Sequence, residues 1–149
     1  MTAAAADRDR SEVIGILDRC AEAIDRGRWE ILEEIFTAAV VWVWPDGSET
    51  AGRDEVVGEV RRKLRHAGPI HNIFGSYQVA IDGDAATAEV RRRTYFADRF
   101  DRGRFMESLG TFEIRLERAE GRWAIGHFRE TVMIRRGGVD VLEPPAGAA

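Results

Sequence analysis

In the first half of the chain, apolar residues recur every three to four positions; from residue 70 onward they alternate. Val13, Ile14, Leu17, Ala21 and Ile24 share one helical face, with Ser11 as a candidate N-cap and Gly27 as a left-handed C-cap. Trp29, Leu32, Ile35 and Phe36 predict a second, short helix. The β-branched and aromatic run Val40-Val41-Trp42-Val43-Trp44 predicts a strand, turned by Pro45-Asp46-Gly47. Asp54 opens a third helix with Val56, Val57, Val60 and Leu64 inward. Its basic end (Arg61, Arg62, Lys63, Arg65) complements the helix dipole, and Gly68-Pro69 stops it.

The alternating half is divided by three turn signals: Asp82-Gly83-Asp84, Asp101-Arg102-Gly103 and Ala119-Glu120-Gly121. They separate strand-like runs at about 70–81, 85–100, 104–118 and 122–136. Neighbours joined by hairpins pair antiparallel. Three helices followed by a long meander give an α+β domain in which the helices cover one face of a curved sheet. A sheet this long, curled around helices, leaves an apolar cavity at its wide end, the default place for a ligand. Residues 1–10 are expected to form a flexible arm, 11–137 a single domain, and 138–149 a loose tail.

Composition narrows the choice of function. Of 149 residues, 44% are hydrophobic and 32% charged, as in ordinary globular domains. No apolar run reaches the roughly 18 residues a membrane span needs, and none near the N-terminus has signal-peptide length, so a cytoplasmic protein is expected. Cys20 is the only cysteine, which excludes an internal disulfide and thiol-rich metal sites. A net charge of −4 argues against a general nucleic-acid binder. The run Arg91-Arg92-Arg93 does not change this, because strand geometry splits it between two faces where Glu89, Glu107 and Glu113 can pair with it. His66, His71 and His127 lack metal-ligand spacing, and no phosphate-binding glycine loop or G-x-S-x-G elbow occurs. Neither a metal nor a cofactor is expected.

The string Cys20-Ala21-Glu22-Ala23-Ile24-Asp25-Arg26-Gly27-Arg28-Trp29-Glu30 resembles the opening of SnoaL-like proteins of the nuclear transport factor 2-like superfamily. Gly52-Arg53-Asp54-Glu55, Ile70-His71-Asn72, Ile81-Asp82-Gly83-Asp84-Ala85 and Gly121-Arg122-Trp123-Ala124-Ile125 follow in the matching order, over about residues 11–136. The resemblance implies a cone, a bent sheet wrapped around the first helix. It also implies two possible functions: a cofactor-independent dehydratase, isomerase or cyclase acting on a small apolar metabolite such as a polyketide or terpenoid, or a non-catalytic binding or assembly domain.

Dehydratase-like members pair an Asp near the end of the first helix with a His at the start of the long strand, and Asp25 and His71 occupy those places. A Tyr or Lys often stands five residues before that Asp; Cys20 stands there in this chain. Such a dyad suits proton abstraction and elimination, with the carboxylate orienting the imidazole. By spacing alone, Asp25 beside Arg26 and Arg28 reads as a solvated carboxylate, and His71 as a satisfied core residue.

His71 alternates with Ile73, Tyr77 and Val79, which points it inward. His127 and Arg129 follow Trp123 and Ile125 on one face, and both are expected to reach the cavity. There His127 serves as a core hydrogen-bonder or a ligand contact, and Arg129 as a substrate anchor or a rim ion pair. Trp42 and Trp44 share a face and wall a ligand or pack against a helix. Tyr95 stands opposite Arg92, Thr94 and Phe96 in strand phase, and alternation alone leaves open which set faces in. Phe96, Phe105 and Leu109, off the interior phase, predict a homodimer, or a trimer, built on the outer sheet face.

Overall fold

The first helix begins at Ala3, not at Ser11, in the computed structural model, which describes residues 2–144. Thr2 caps α1 (Ala3–Arg26), its Oγ1 accepting from the Ala5 N–H at 3.2 Å. The expected arm is therefore helical. Its alanines favour helix, and Asp9 is buried, accepting from Arg118 Nη2 at 2.8 Å and Trp123 Nε1 at 3.4 Å. Gly27 ends the helix at φ 63°, as its sequence position implies.

The remaining elements are α2 (Trp29–Ile35), β1 (Phe36–Val43), β2 (Glu49–Ala51), α3 (Arg53–Leu64), β3 (Ile70–Asp82), β4 (Ala85–Ala97), β5 (Phe105–Ala119) and β6 (Arg122–Gly137). β4 stops three residues short of the predicted run because Asp98 Oδ1 accepts from the N–H groups of Phe100 and Asp101 and starts a turn. The six strands form one unclosed sheet in the order β2-β1-β6-β5-β4-β3. Every pairing is antiparallel except that of β1 with β6. The curved sheet wraps α1, and Val13, Leu17, Val40, Val90, Ile125 and Phe128 are fully enclosed between them.

The tail is docked as far as it is described. Val139–Leu142 form a 3₁₀ turn, Val141 is buried and Asp140 pairs with Arg104. Residues 145–149 of the expected tail lie outside the described residues. No helix among the described residues is long and apolar enough to cross a membrane.

Two irregularities decide which side chains enter the cone. Between Gly75 and Gln78 the β3 register slips by one residue, with Ser76 at φ 51°. Ile70, Asn72 and Phe74 face inward before this bulge, and Tyr77, Val79 and Ile81 after it. In the first half of β6 the extra residue is Gly126: Ile125 pairs with Leu116, but His127 already pairs with Arg115. Trp123 and Ile125 are inward before it, Phe128 and Glu130 after it. Each extra residue moves the following side chains to the opposite face.

Candidate functional site

Helices α1 and α3 and the concave sheet line a half-open cavity of about 80 Å³. Aromatic rings form much of its apolar wall: Trp42, Trp44, Phe74, Phe96 and Phe112. Trp42 is clamped by stacking, with ring centres 4.9 Å from Trp44 and 4.6 Å from Phe128.

A continuous chain of hydrogen bonds runs from the end of α1 into this cavity. Asp25 accepts from the Asn72 backbone N–H at 3.0 Å and from Asn72 Nδ2 at 2.5 Å. Thr94 Oγ1 donates to Asn72 Oδ1 at 2.6 Å, and Arg92 Nη1 donates to Thr94 Oγ1 at 3.2 Å. Arg92 Nη2 donates to Ser108 Oγ at 3.3 Å and pairs with Glu130 at 2.8 Å. The guanidinium also lies over the Phe112 ring, 5.2 Å from its centre. Among the described residues, Arg92 Nε and Trp42 Nε1 find no acceptor.

Burial pushes the Asp25 carboxyl above its ordinary range, against the lowering pull of the Asn72 N–H groups and His71. Burial likewise lowers Arg92, and the Glu130 carboxylate opposes that shift.

Of the residues singled out from sequence, Trp42 and Trp44 line the cavity. His71 does not. Its side chain is 72% exposed and its Nδ1 stands 3.7 Å from Asp25 Oδ2, beyond hydrogen-bonding distance. It lines an open groove with Asp18, Glu22 and Arg26 on the outside of the cone. Without the bulge at Ser76, counting back from Tyr77 and Val79 puts His71 inside; with it, the inward neighbour of Asp25 is Asn72.

The same correction applies on β6. Beyond Gly126, His127 and Arg129 turn to the outer face, where Arg129 Nε lies 3.9 Å from Glu113. There partial burial, then Arg115 and Arg129, lower the His127 pKa. Tyr95 is exposed and stacks on Phe105, while Phe96, expected on the outer face, lines the cavity. Cys20 is buried away from the cavity, and burial pushes its thiol up to about 12.

Sequence reasoning missed Asn72, Arg92, Thr94 and Glu130. The signal for two of them was present: Ala86, Ala88 and Val90 set an inward phase on β4 that Arg92 and Thr94 simply continue.

Several solved structures share this architecture. The Kfla4162 protein of Kribbella flavida superposes with a TM-score of 0.84 at 16% identity, over 93% of this chain and 99% of its own. A protein assigned by name as a scytalone dehydratase, from Novosphingobium aromaticivorans DSM 12444, gives 0.82 at 10% identity over 99% of both chains. A type 2 hexachlorocyclohexane dehydrochlorinase (LinA) gives 0.79 at 10% identity, over 95% of this chain and 96% of its own. At these identities the likeness is one of fold. No curated protein matches the chain in sequence. The SnoaL-like domain family, however, matches residues 6–129, from the first turn of α1 to the middle of β6. The chain belongs to the SnoaL-like domain family.

Proposed function

We propose that this chain binds a small, mostly apolar molecule inside the cone, and that holding it is its function. The observation that carries this reading is Asn72. The side chain facing Asp25 from inside the cone is an amide, which neither takes nor gives a proton near neutral pH, and it completes the carboxylate's hydrogen bonds. The cavity is smaller than the roughly 300–1,000 Å³ of drug-sized sites and smaller than the roughly 150 Å³ apolar cavity that takes benzene in an unrelated protein. It suits a small ligand, or one end of a larger one entering from the mouth, better than an enclosed fused-ring polyketide.

A second reading is cofactor-independent acid/base catalysis of dehydratase, isomerase or cyclase type. It is favoured by the 3.7 Å approach of His71 to Asp25 and by the raised Asp25 carboxyl. His71 is then the general base and acid, Asp25 orients it, and the substrate lies in the outer groove rather than the cavity.

One experiment separates the two. The protein is incubated in D2O with small cyclic ketones and followed by NMR. Binding alone shifts resonances of cavity residues and leaves the ligand's α-protons unexchanged beyond the buffer rate. Accelerated exchange that His71→Ala abolishes would replace the binding reading with the catalytic one.

A further inference from the structure

Two donors in the cavity wall have nothing to donate to. Trp42 is 3% exposed and Arg92 5%, both line the cavity, and Trp42 Nε1 and Arg92 Nε have no acceptor among the described residues. A buried donor without a partner carries its full desolvation penalty. Neither group is free to turn away. The indole is stacked between Trp44 and Phe128. The guanidinium is held through both terminal nitrogens by Thr94, Ser108 and Glu130, which leaves Nε as its one nitrogen without a partner among the described residues. Both groups flank one ring, Phe112, with the Arg92 Cζ 5.2 Å and the Trp42 ring 5.8 Å from its centre.

From this we infer that Trp42 and Arg92 form a receiving subsite for an uncharged carbonyl-type acceptor, a ketone, aldehyde or amide oxygen at the inner end of the ligand. The inference rests on the binding reading above and specifies its chemistry. A carbonyl oxygen offers two lone pairs and brings no charge. A carboxylate fits less well, because Glu130 already balances Arg92 at 2.8 Å, and a second buried anion would lack a cation of its own. Lys63 does not supply one, since its ammonium sits over the Trp44 ring at 4.6 Å and beside Glu59 at 3.6 Å. A hydrocarbon fits the aromatic walls but leaves both donors unpaired.

The test uses the unaltered, ¹⁵N-labelled chain and three probes of similar size: cyclopentanone, methylenecyclopentane and cyclopentanecarboxylate. The four tryptophans give four indole signals, and that of Trp42 is assigned by its loss in Trp42→Phe. The expected result is that cyclopentanone moves the Trp42 indole and Arg92 Nε proton signals downfield. It should bind about tenfold or more tighter than methylenecyclopentane, and tighter than the carboxylate. Trp42→Phe should narrow the gap between ketone and hydrocarbon while leaving hydrocarbon binding in place. The ligand series on the unaltered protein stands even if that variant fails to fold. Equal binding of ketone and hydrocarbon, or tightest binding of the carboxylate, overturns the inference and leaves the binding reading standing. If no probe moves any cavity resonance, both fall.

Discussion

Near the start of α1, Arg118 lies over the Trp123 ring, 4.5 Å from its centre, and Trp123 and Arg118 both donate to the same carboxylate, Asp9. Near the end of α1, Arg92 lies over Phe112 and pairs with Glu130, but the indole beside it, Trp42, reaches no acceptor. The two clusters use the same parts: a cation, an aromatic face, a carboxylate and a tryptophan. At the first, the indole and the cation share their acceptor, and Arg118 Nε faces Asp84 at 3.3 Å. There Arg118 Nε also makes no hydrogen bond among the described residues, but the Asp84 carboxylate already stands beside it. At the second, the wall of a cavity keeps a surplus of donors, which suits a place that receives a ligand.

The largest expected effect tests whether the Arg92 pair is held as tightly as this contrast requires. Arg92→Met leaves Glu130 half-buried without its cation and should destabilise the protein by about 3–5 kcal/mol in urea unfolding. Adding Glu130→Leu should recover most of that, because the orphaned charge is then gone. Arg118→Met should cost less than Arg92→Met, since Arg118 is partly exposed, Asp84 is solvated, and Trp123 still donates to the Asp9 carboxylate. Equal losses at the two ends would mean that the clusters do not differ in the way described.

A pH titration sharpens the same contrast through opposite signs. The Arg118 N–H holds the Asp9 carboxyl below its ordinary value, with Trp123 assisting. Its contribution is fully present above the unfolded-chain value of about 4 and is lost as pH falls through the lower folded value. Asp25 is shifted the other way by burial. Its ionised form costs stability at neutral pH, and that cost disappears as pH falls through its raised folded value. Acid should therefore loosen the Asp9 end of α1 and not the Asp25 end. Carboxyl ¹³C titration together with amide exchange along α1 reads this directly. Asp25 titrating below Asp9 would reverse the comparison.

The Asp25–Asn72 contact is intermediate in size. Asp25→Ala orphans the Asn72 backbone N–H and amide at a site where Asp25 itself is only 16% exposed. A loss of roughly 1–3 kcal/mol is expected in the same urea assay. No loss would detach Asn72 from the hydrogen-bonded chain that leads to Arg92.

How legible this was from sequence varied with the range of the forces involved. The α1 C-cap, α3 and the four long strands announce themselves through local amphipathic pattern and turn residues, and each lies close to its expected span. The helical start of α1 does not, because Asp9 is stabilised by side chains more than a hundred positions away. The parallel seam between β1 and β6 leaves no local trace either. For the site, strand phase decided everything. β4 carries no bulge, and its inward set Ala86, Ala88, Val90, Arg92, Thr94 runs unbroken. β3 and the first half of β6 each contain an extra residue, and there alternation put His71, His127 and Arg129 inside in place of Asn72, Phe128 and Glu130. A single added residue is invisible to composition and reverses every assignment beyond it.

The smallest expected effect belongs to the residue that the sequence made most prominent. His71 is 72% exposed and makes no hydrogen bond to Asp25. Its removal orphans no buried group, so His71→Ala should change unfolding free energy by no more than about 0.5 kcal/mol. Asn72→Ala, one position along the same strand, should act differently, because it strips the Asp25 carboxylate of its side-chain donor and opens the hydrogen-bonded chain toward Thr94. The pair of variants thus asks which side of β3 the site is on. In the binding reading, affinity for a cavity ligand, measured by NMR titration, is unchanged in His71→Ala and falls in Asn72→Ala. If affinity falls in His71→Ala and holds in Asn72→Ala, the working face of β3 is the outer groove and the cavity is only packing.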